Sequence, residues 1–127
     1  MIVIDHKNQP IEWHGRDNNI EHRLILDHTN GATALTLWEI FPPEGAGAPP
    51  HVHHNCEEVI TVLSGRIKAQ LDHEIFEAAA GQTLFIPAGV GHSFGVISDE
   101  KAHLLIAFSS ADVQWERVGW NMWLNKK

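Results

Sequence analysis

Apolar and polar residues alternate along most of this chain with a period of two, the spacing of strands that bury one face. Ile20, His22, Leu24 and Leu26 share one parity. Asn30-Gly31 follows, a pair that accepts positive φ and predicts a tight hairpin turn. Residues 32–41, rich in Thr, Leu and Trp, read as a second strand. Pro42-Pro43-Glu44-Gly45 ends it and opens a loop through Pro50. Further short strands are predicted at residues 59–63, 66–71, 75–79, 83–86, 92–97 and 102–108. Ser64-Gly65, Asp72-His73, Gly81, Pro87-Ala88-Gly89 and Asp99-Glu100 supply the turns between them. Many short strands at regular spacing predict an all-β sandwich or barrel. Residues 1–19 are polar and weakly patterned, with one short strand at 11–13. Residues 113–124 break the pattern and suit a turn or two of helix, or an extended arm. Trp115, Trp120 and Trp123 fall there or beside it, and are expected to pack on the barrel or on a second subunit. With no internal repeat or linker, we expect one domain over 1–127, with a barrel core at about 32–110.

Composition narrows the setting. A chain of 127 residues buries roughly two-thirds of the surface its unfolded form exposes, so a core is feasible without cross-links. Cys56 is the only cysteine, which rules out an intrachain disulfide and suits a reducing, cytoplasmic setting. The amino terminus shows no charged head followed by an apolar run, so no secretory signal is expected. No apolar stretch approaches the ~20 residues of a membrane helix. A formal charge of -7, without a Lys/Arg cluster, argues against nucleic acid as a partner. A small molecule is the expected ligand.

Histidine is the residue that changes the picture: there are ten, against no tyrosine. His51 and His53 are two apart, so on a strand both rings leave the same face. Pro49 and Pro50 stiffen the approach. Glu58 follows a short bend and shares parity with Ile60 and Val62, which suit an interior, whereas Glu57 faces outward. His92 arrives from a distant strand after Pro87-Ala88-Gly89. Three imidazole nitrogens and a carboxylate oxygen suit a borderline divalent ion. Charged and unpaired inside a barrel, each such group costs several kcal/mol, a cost a metal removes. A His-x-His pair alone is more often a surface or satisfied interior feature, and a barrel that binds metal only weakly is the alternative. His54 has outward parity, and Cys56 reads as a small half-buried thiol. His6, His14, His22, His28 and His73 are expected to be solvated in arms or turns, and His103 to sit at the barrel rim.

On these residues the chain resembles the cupin superfamily. Its first motif, a glycine, His-x-His, a glutamate and a second glycine, is matched in spacing by Gly45, His51, His53, Glu58 and Gly65. Its second, a glycine, Pro-x-Gly, a histidine and an asparagine, is matched by Gly81, Pro87, Gly89 and His92, with Val96 in place of the asparagine. That asparagine is not a metal ligand in the family, so Val96 bears on local packing. The resemblance implies a jelly-roll barrel, or double-stranded β-helix, with metal held by His51, His53, Glu58 and His92, and a homodimer. The runs at 85–94 and 104–109 are similar to small cupins labelled quercetin-dioxygenase-like.

Four protein ligands on a six-coordinate ion leave two positions for a chelating substrate or for substrate and dioxygen. Trp38, Ile60, Val62 and Phe94 are expected to line an apolar pocket, with His103 at its mouth. The leading expectation is a metal-dependent dioxygenase for a small aromatic or enolisable substrate, with Glu58 both ligand and base. Its cofactor is one divalent ion: Fe, Mn, Ni, Cu or Zn. An isomerase, lyase or decarboxylase needs a further proton donor, which His103, Glu39 or Glu57 would have to supply in the absence of tyrosine. A non-enzymatic, metal-containing small-ligand binder is the third reading. Metal is expected to be lost as pH falls toward and below ~6.

Overall fold

A computed structural model describes residues 2–119. The strands are β1 (Glu12–His14), β2 (Ile20–Leu26), β3 (Thr36–Phe41), β4 (Gly47–Val52), β5 (Glu58–Ser64), β6 (Arg66–Leu71), β7 (Glu74–Ala79), β8 (Thr83–Ile86), β9 (His92–Val96), β10 (His103–Phe108) and β11 (Glu116–Arg117). They form two antiparallel sheets, one in the order β1-β2-β3-β10-β5-β8 and the other β11-β4-β9-β6-β7. This is the all-β, two-sheet fold expected from the alternating pattern, arranged as the jelly roll that the resemblance implied. Among the described residues no helix is long and apolar enough to cross a membrane.

The core lies between the sheets because alternate residues point inward from each. From β5 and β10 come Ile60, Val62, Leu104, Ile106 and Phe108; from β6 and β9 come Ile67, Ala69, Phe94 and Val96. Strand β9 is buried at every position, whereas β10 alternates. Val96, standing where the second motif has asparagine, is a core residue paired with Ile67.

Two segments depart from the sequence reading, and a third takes one of the two forms expected of it. The link between β2 and β3 is not a two-residue turn. Asp27 caps a short 3-10 turn at His28–Asn30, Asn30 bonds back to the Asp27 N–H, and Gly31 takes φ 117°. Only Gly31 of the Asn30-Gly31 pair takes positive φ, within a longer connection, and β3 starts at Thr36. Residues 47–52 are a strand and not the end of a loop. Pro49 and Pro50 fit there because the β4–β9 register shifts between Ala48 and His51, so no ladder bond is asked of them. The carboxyl-terminal arm is extended as far as described: β11 pairs with β4, Glu116 opposite Val52. Trp120 and Trp123 lie outside the described residues.

Strands β4 and β9 approach closely at Gly47. A Cβ there would lie 2.0 Å from the Phe94 carbonyl oxygen. Gly47→Ala must therefore push the two strands apart, at a cost of about 3 kcal/mol or more. The expected fall in melting temperature, read by circular dichroism, is on the order of 10 °C.

Candidate metal centre

The β4–β9 pair also sets two of the histidines face to face, since His51 and His92 are Cα partners across it. His53 stands one residue past the end of β4, and Glu58 opens β5 in the opposite sheet. The turn at Pro87-Ala88-Gly89 joins the parts: the Gly89 N–H, at φ 81°, donates to the His53 carbonyl at 2.8 Å. One ligand atom from each of His51, His53, Glu58 and His92 lies within 4.8 Å of all the others. The four residues the sequence singled out are thus brought together. Cys56 is not among them; it is buried in the core, and burial, then the charge of Glu58, pushes its thiol pKa up.

The backbone fixes the tautomer of all three rings. His51 Nδ1 donates to the Pro49 carbonyl (2.6 Å), His53 Nδ1 to Gln114 (2.8 Å) and His92 Nδ1 to Val90 (3.0 Å). A carbonyl only accepts, so each neutral ring carries its proton on Nδ1 and turns the Nε2 lone pair inward. Glu58 Oε1 lies 3.0 Å from His92 Nε2 and 3.3 Å from His53 Nε2. Yet these three buried atoms have no hydrogen-bond partner. Acceptor facing acceptor in a desolvated site is unfavourable, and a shared cation is what makes it favourable. The donor set, the tautomers and the unpartnered atoms all fit a metal ion.

Titration follows the same geometry. Burial pushes His51 down to about 4, aided by His92 and His53 and opposed by the Pro49 carbonyl and Glu58. Burial also acts to lower His53, but Glu58 and the Gln114 carbonyl outweigh it and raise this ring above its ordinary 6.5. Burial would raise Glu58; the His53 and His92 imidazoles overcome it and hold the carboxyl below its usual range.

The cluster borders a cavity of about 470 Å³. Trp38, Ile40, Phe94, Ile106 and Phe108 give it an apolar, largely aromatic wall. Phe108 meets His53 edge-on at 5.2 Å between ring centres, and Trp38 meets Phe108 at 4.7 Å. Trp115, 61% exposed, stands at the rim near His51. Trp38 and Phe94 line the cavity, while Ile60 and Val62 sit in the core and do not. His103 is a clear correction. It starts β10 at a register shift, faces away from the cavity, and bonds Glu39 Oε2 at 2.7 Å on the outer side of the sheet. Glu39 also accepts from His6 Nδ1 at 3.1 Å, and Glu57 is exposed. None of these three reaches the cavity. His22, expected in solvent, is buried on the cavity wall because β2 turns its His22 parity inward. Its strand parity carried that signal. The Gln114 carbonyl had none, since any residue offers one.

Comparison with known proteins agrees with this architecture. The family model described as Cupin domain matches residues 37–108. Polyketide synthase CurC of Streptomyces cyaneus is 33% identical over 86 residues, 68% of this chain and 56% of the relative. This chain thus spans little more than half that relative's length. Quercetin 2,3-dioxygenase of Bacillus subtilis is 37% identical over 68 residues, 51% of this chain and 20% of the enzyme. In fold, the chain is similar to the polyketide cyclase RemF from Streptomyces resistomycificus, with a TM-score of 0.76 and 23% identity. That alignment covers 95% of this chain and 87% of the other.

Proton and metal compete for Nε2, so the ring with the raised pKa decides when metal leaves. Metal affinity should therefore weaken as pH falls, His53 being the first of these rings to compete for its proton because its pKa is raised; His51, at about 4, does not limit. Elemental analysis after dialysis at stepped pH checks this, and full retention at pH 5 would contradict it. His53→Ala or His92→Ala should each remove most bound metal and lower the melting temperature of the metal-loaded protein.

Proposed function

The chain belongs to the cupin family, and from that footing we propose that it is a metal-dependent enzyme acting on a flat aromatic or enolisable small molecule. His51, His53, Glu58 and His92 hold one divalent transition ion. The observation that supports this reading is a cluster of unpartnered imidazole and carboxylate atoms on the wall of an aromatic cavity. Such an ion supplies Lewis acidity and, if redox-active, a route for electrons to dioxygen.

The chain's own residues do the rest. Trp38, Phe94 and Phe108 offer ring faces and edges to a planar substrate and keep water out. Glu58, held ionised at neutral pH, accepts the proton that leaves an enol or phenol hydroxyl bound beside it. We read the reaction as a dioxygenation. The apolar, aromatic wall of the cavity and the likeness of about half the chain to a quercetin dioxygenase support that reading. The relatives named for polyketide synthesis and cyclisation support a second one, in which the same site rearranges or cyclises an enolate without oxygen. Since His103, Glu39 and Glu57 face elsewhere, proton transfer would then fall to Glu58 and to the cavity-lining imidazoles His14 and His22.

Oxygen uptake by metal-loaded protein with a panel of flavonols, β-diketones and polyphenols separates the two readings. Uptake matched to product is the expected result. Turnover under strict anaerobiosis would select the second reading, and no conversion of any member in either condition would count against both. Trp38→Ala should raise KM about tenfold by removing one aromatic wall.

A further inference from the structure

The feature that marks the four-residue cluster, buried ring nitrogens with nothing to bond, occurs in one other place among the described residues. His22 is 6% exposed, yet neither Nδ1 nor Nε2 has a hydrogen-bond partner. Leaving both nitrogens of a buried imidazole unpaired is costly. Trp38 meets the ring edge-on at 4.8 Å, and His14 lies flat against it at 4.1 Å.

We propose that Glu12, His14 and His22 form a second site for a borderline divalent cation, at the solvent-facing rim of the cavity and sharing no residue with the first. The β1–β2 register assembles it. Glu12 is the Cα partner of His22, and His14, two residues on, shares the face of Glu12. One ligand atom from each of the three lies within 4.8 Å of the others. His14 Nε2 is 3.7 Å from Glu12 Oε1, too far for a hydrogen bond. Two bonds of about 2.1 Å from a common zinc-like ion span such a gap. Two imidazoles and a carboxylate are a ligand set that zinc, cobalt, nickel and copper all accept.

Charge states agree with this assignment. Burial, with the added effect of His14, pushes His22 down to about 4, so the ring is neutral and able to bind metal across the physiological range. One adjustment is needed. The His14 and His22 planes are within 12° of parallel, so their in-plane lone pairs run side by side and do not meet. His14 has to swing, and its side chain, 47% exposed on an edge strand, has room to do so; Glu12, at 58%, is equally free. An ion here would tie β1 to β2 beside the cavity opening.

The test is ion stoichiometry. Wild type, Glu12→Gln and His14→Ala are dialysed to equilibrium against zinc at pH 7.5, and bound zinc per chain is measured. Both substituted residues are exposed, and unchanged circular dichroism confirms the folds. Each variant should bind one ion fewer than wild type, while a His51→Ala/His53→Ala protein should still lose an ion on adding Glu12→Gln. If Glu12→Gln and His14→Ala both bind as much zinc as wild type, the site does not exist and His22 is a packed core imidazole. The comparison is between rim variants, so it stands whether or not the first cluster is catalytic.

Discussion

Three ring nitrogens and a carboxylate oxygen, all acceptors, crowd together in the interior with no donor among them, and the surrounding structure is built to keep them so. Each imidazole spends its one N–H on a backbone carbonyl, at Pro49, Gln114 or Val90. That choice fixes the tautomer and aims the remaining lone pair inward. Two species can relieve the repulsion: a proton, which the raised pKa of His53 shows the ion-free protein would use, or a metal. The two compete for one atom, so metal affinity here depends on pH.

Holding that arrangement asks more of the backbone than of the core. Strands β4 and β9 must come close enough at Gly47 that no side chain fits between them, because the same pair carries His51 opposite His92. The prolines that stiffen the approach sit at the one place where the ladder is interrupted. From the other direction, the arm leading into β11 lies along β4 and brings the Gln114 carbonyl to His53. An exposed, unremarkable segment thereby takes part in orienting a buried ring.

The two faces of the larger sheet do different work. Inward, Trp38, Ile106 and Phe108 build an apolar wall beside the cluster. Outward, Glu39 is held below its usual pKa by His103 and His6; burial alone would raise it. That outer network takes out of play the proton donors a non-oxidative reaction would want. It leaves Glu58 as the carboxylate on the cavity wall and His22 as a neutral imidazole there without a partner of its own.

Alternation of apolar residues, glycine and proline at the turns, and the spacing of His51, His53, Glu58 and His92 were enough to specify a two-layer β fold and four groups that converge. Each of those signals is local, a parity or a turn that the chain expresses whatever surrounds it. Tertiary contact decided the rest. His103 looked like a rim residue, but it takes the outward parity of β10, opposite to Leu104, and bonds Glu39 on the outer face. Ile60 and Val62 have the right parity for a cavity, yet other side chains fill the space in front of them. His22 looked solvated in a polar arm, but β1 and β3 cover it on either side. Parity says which way a side chain points, whereas only the assembled sheets say what it meets there.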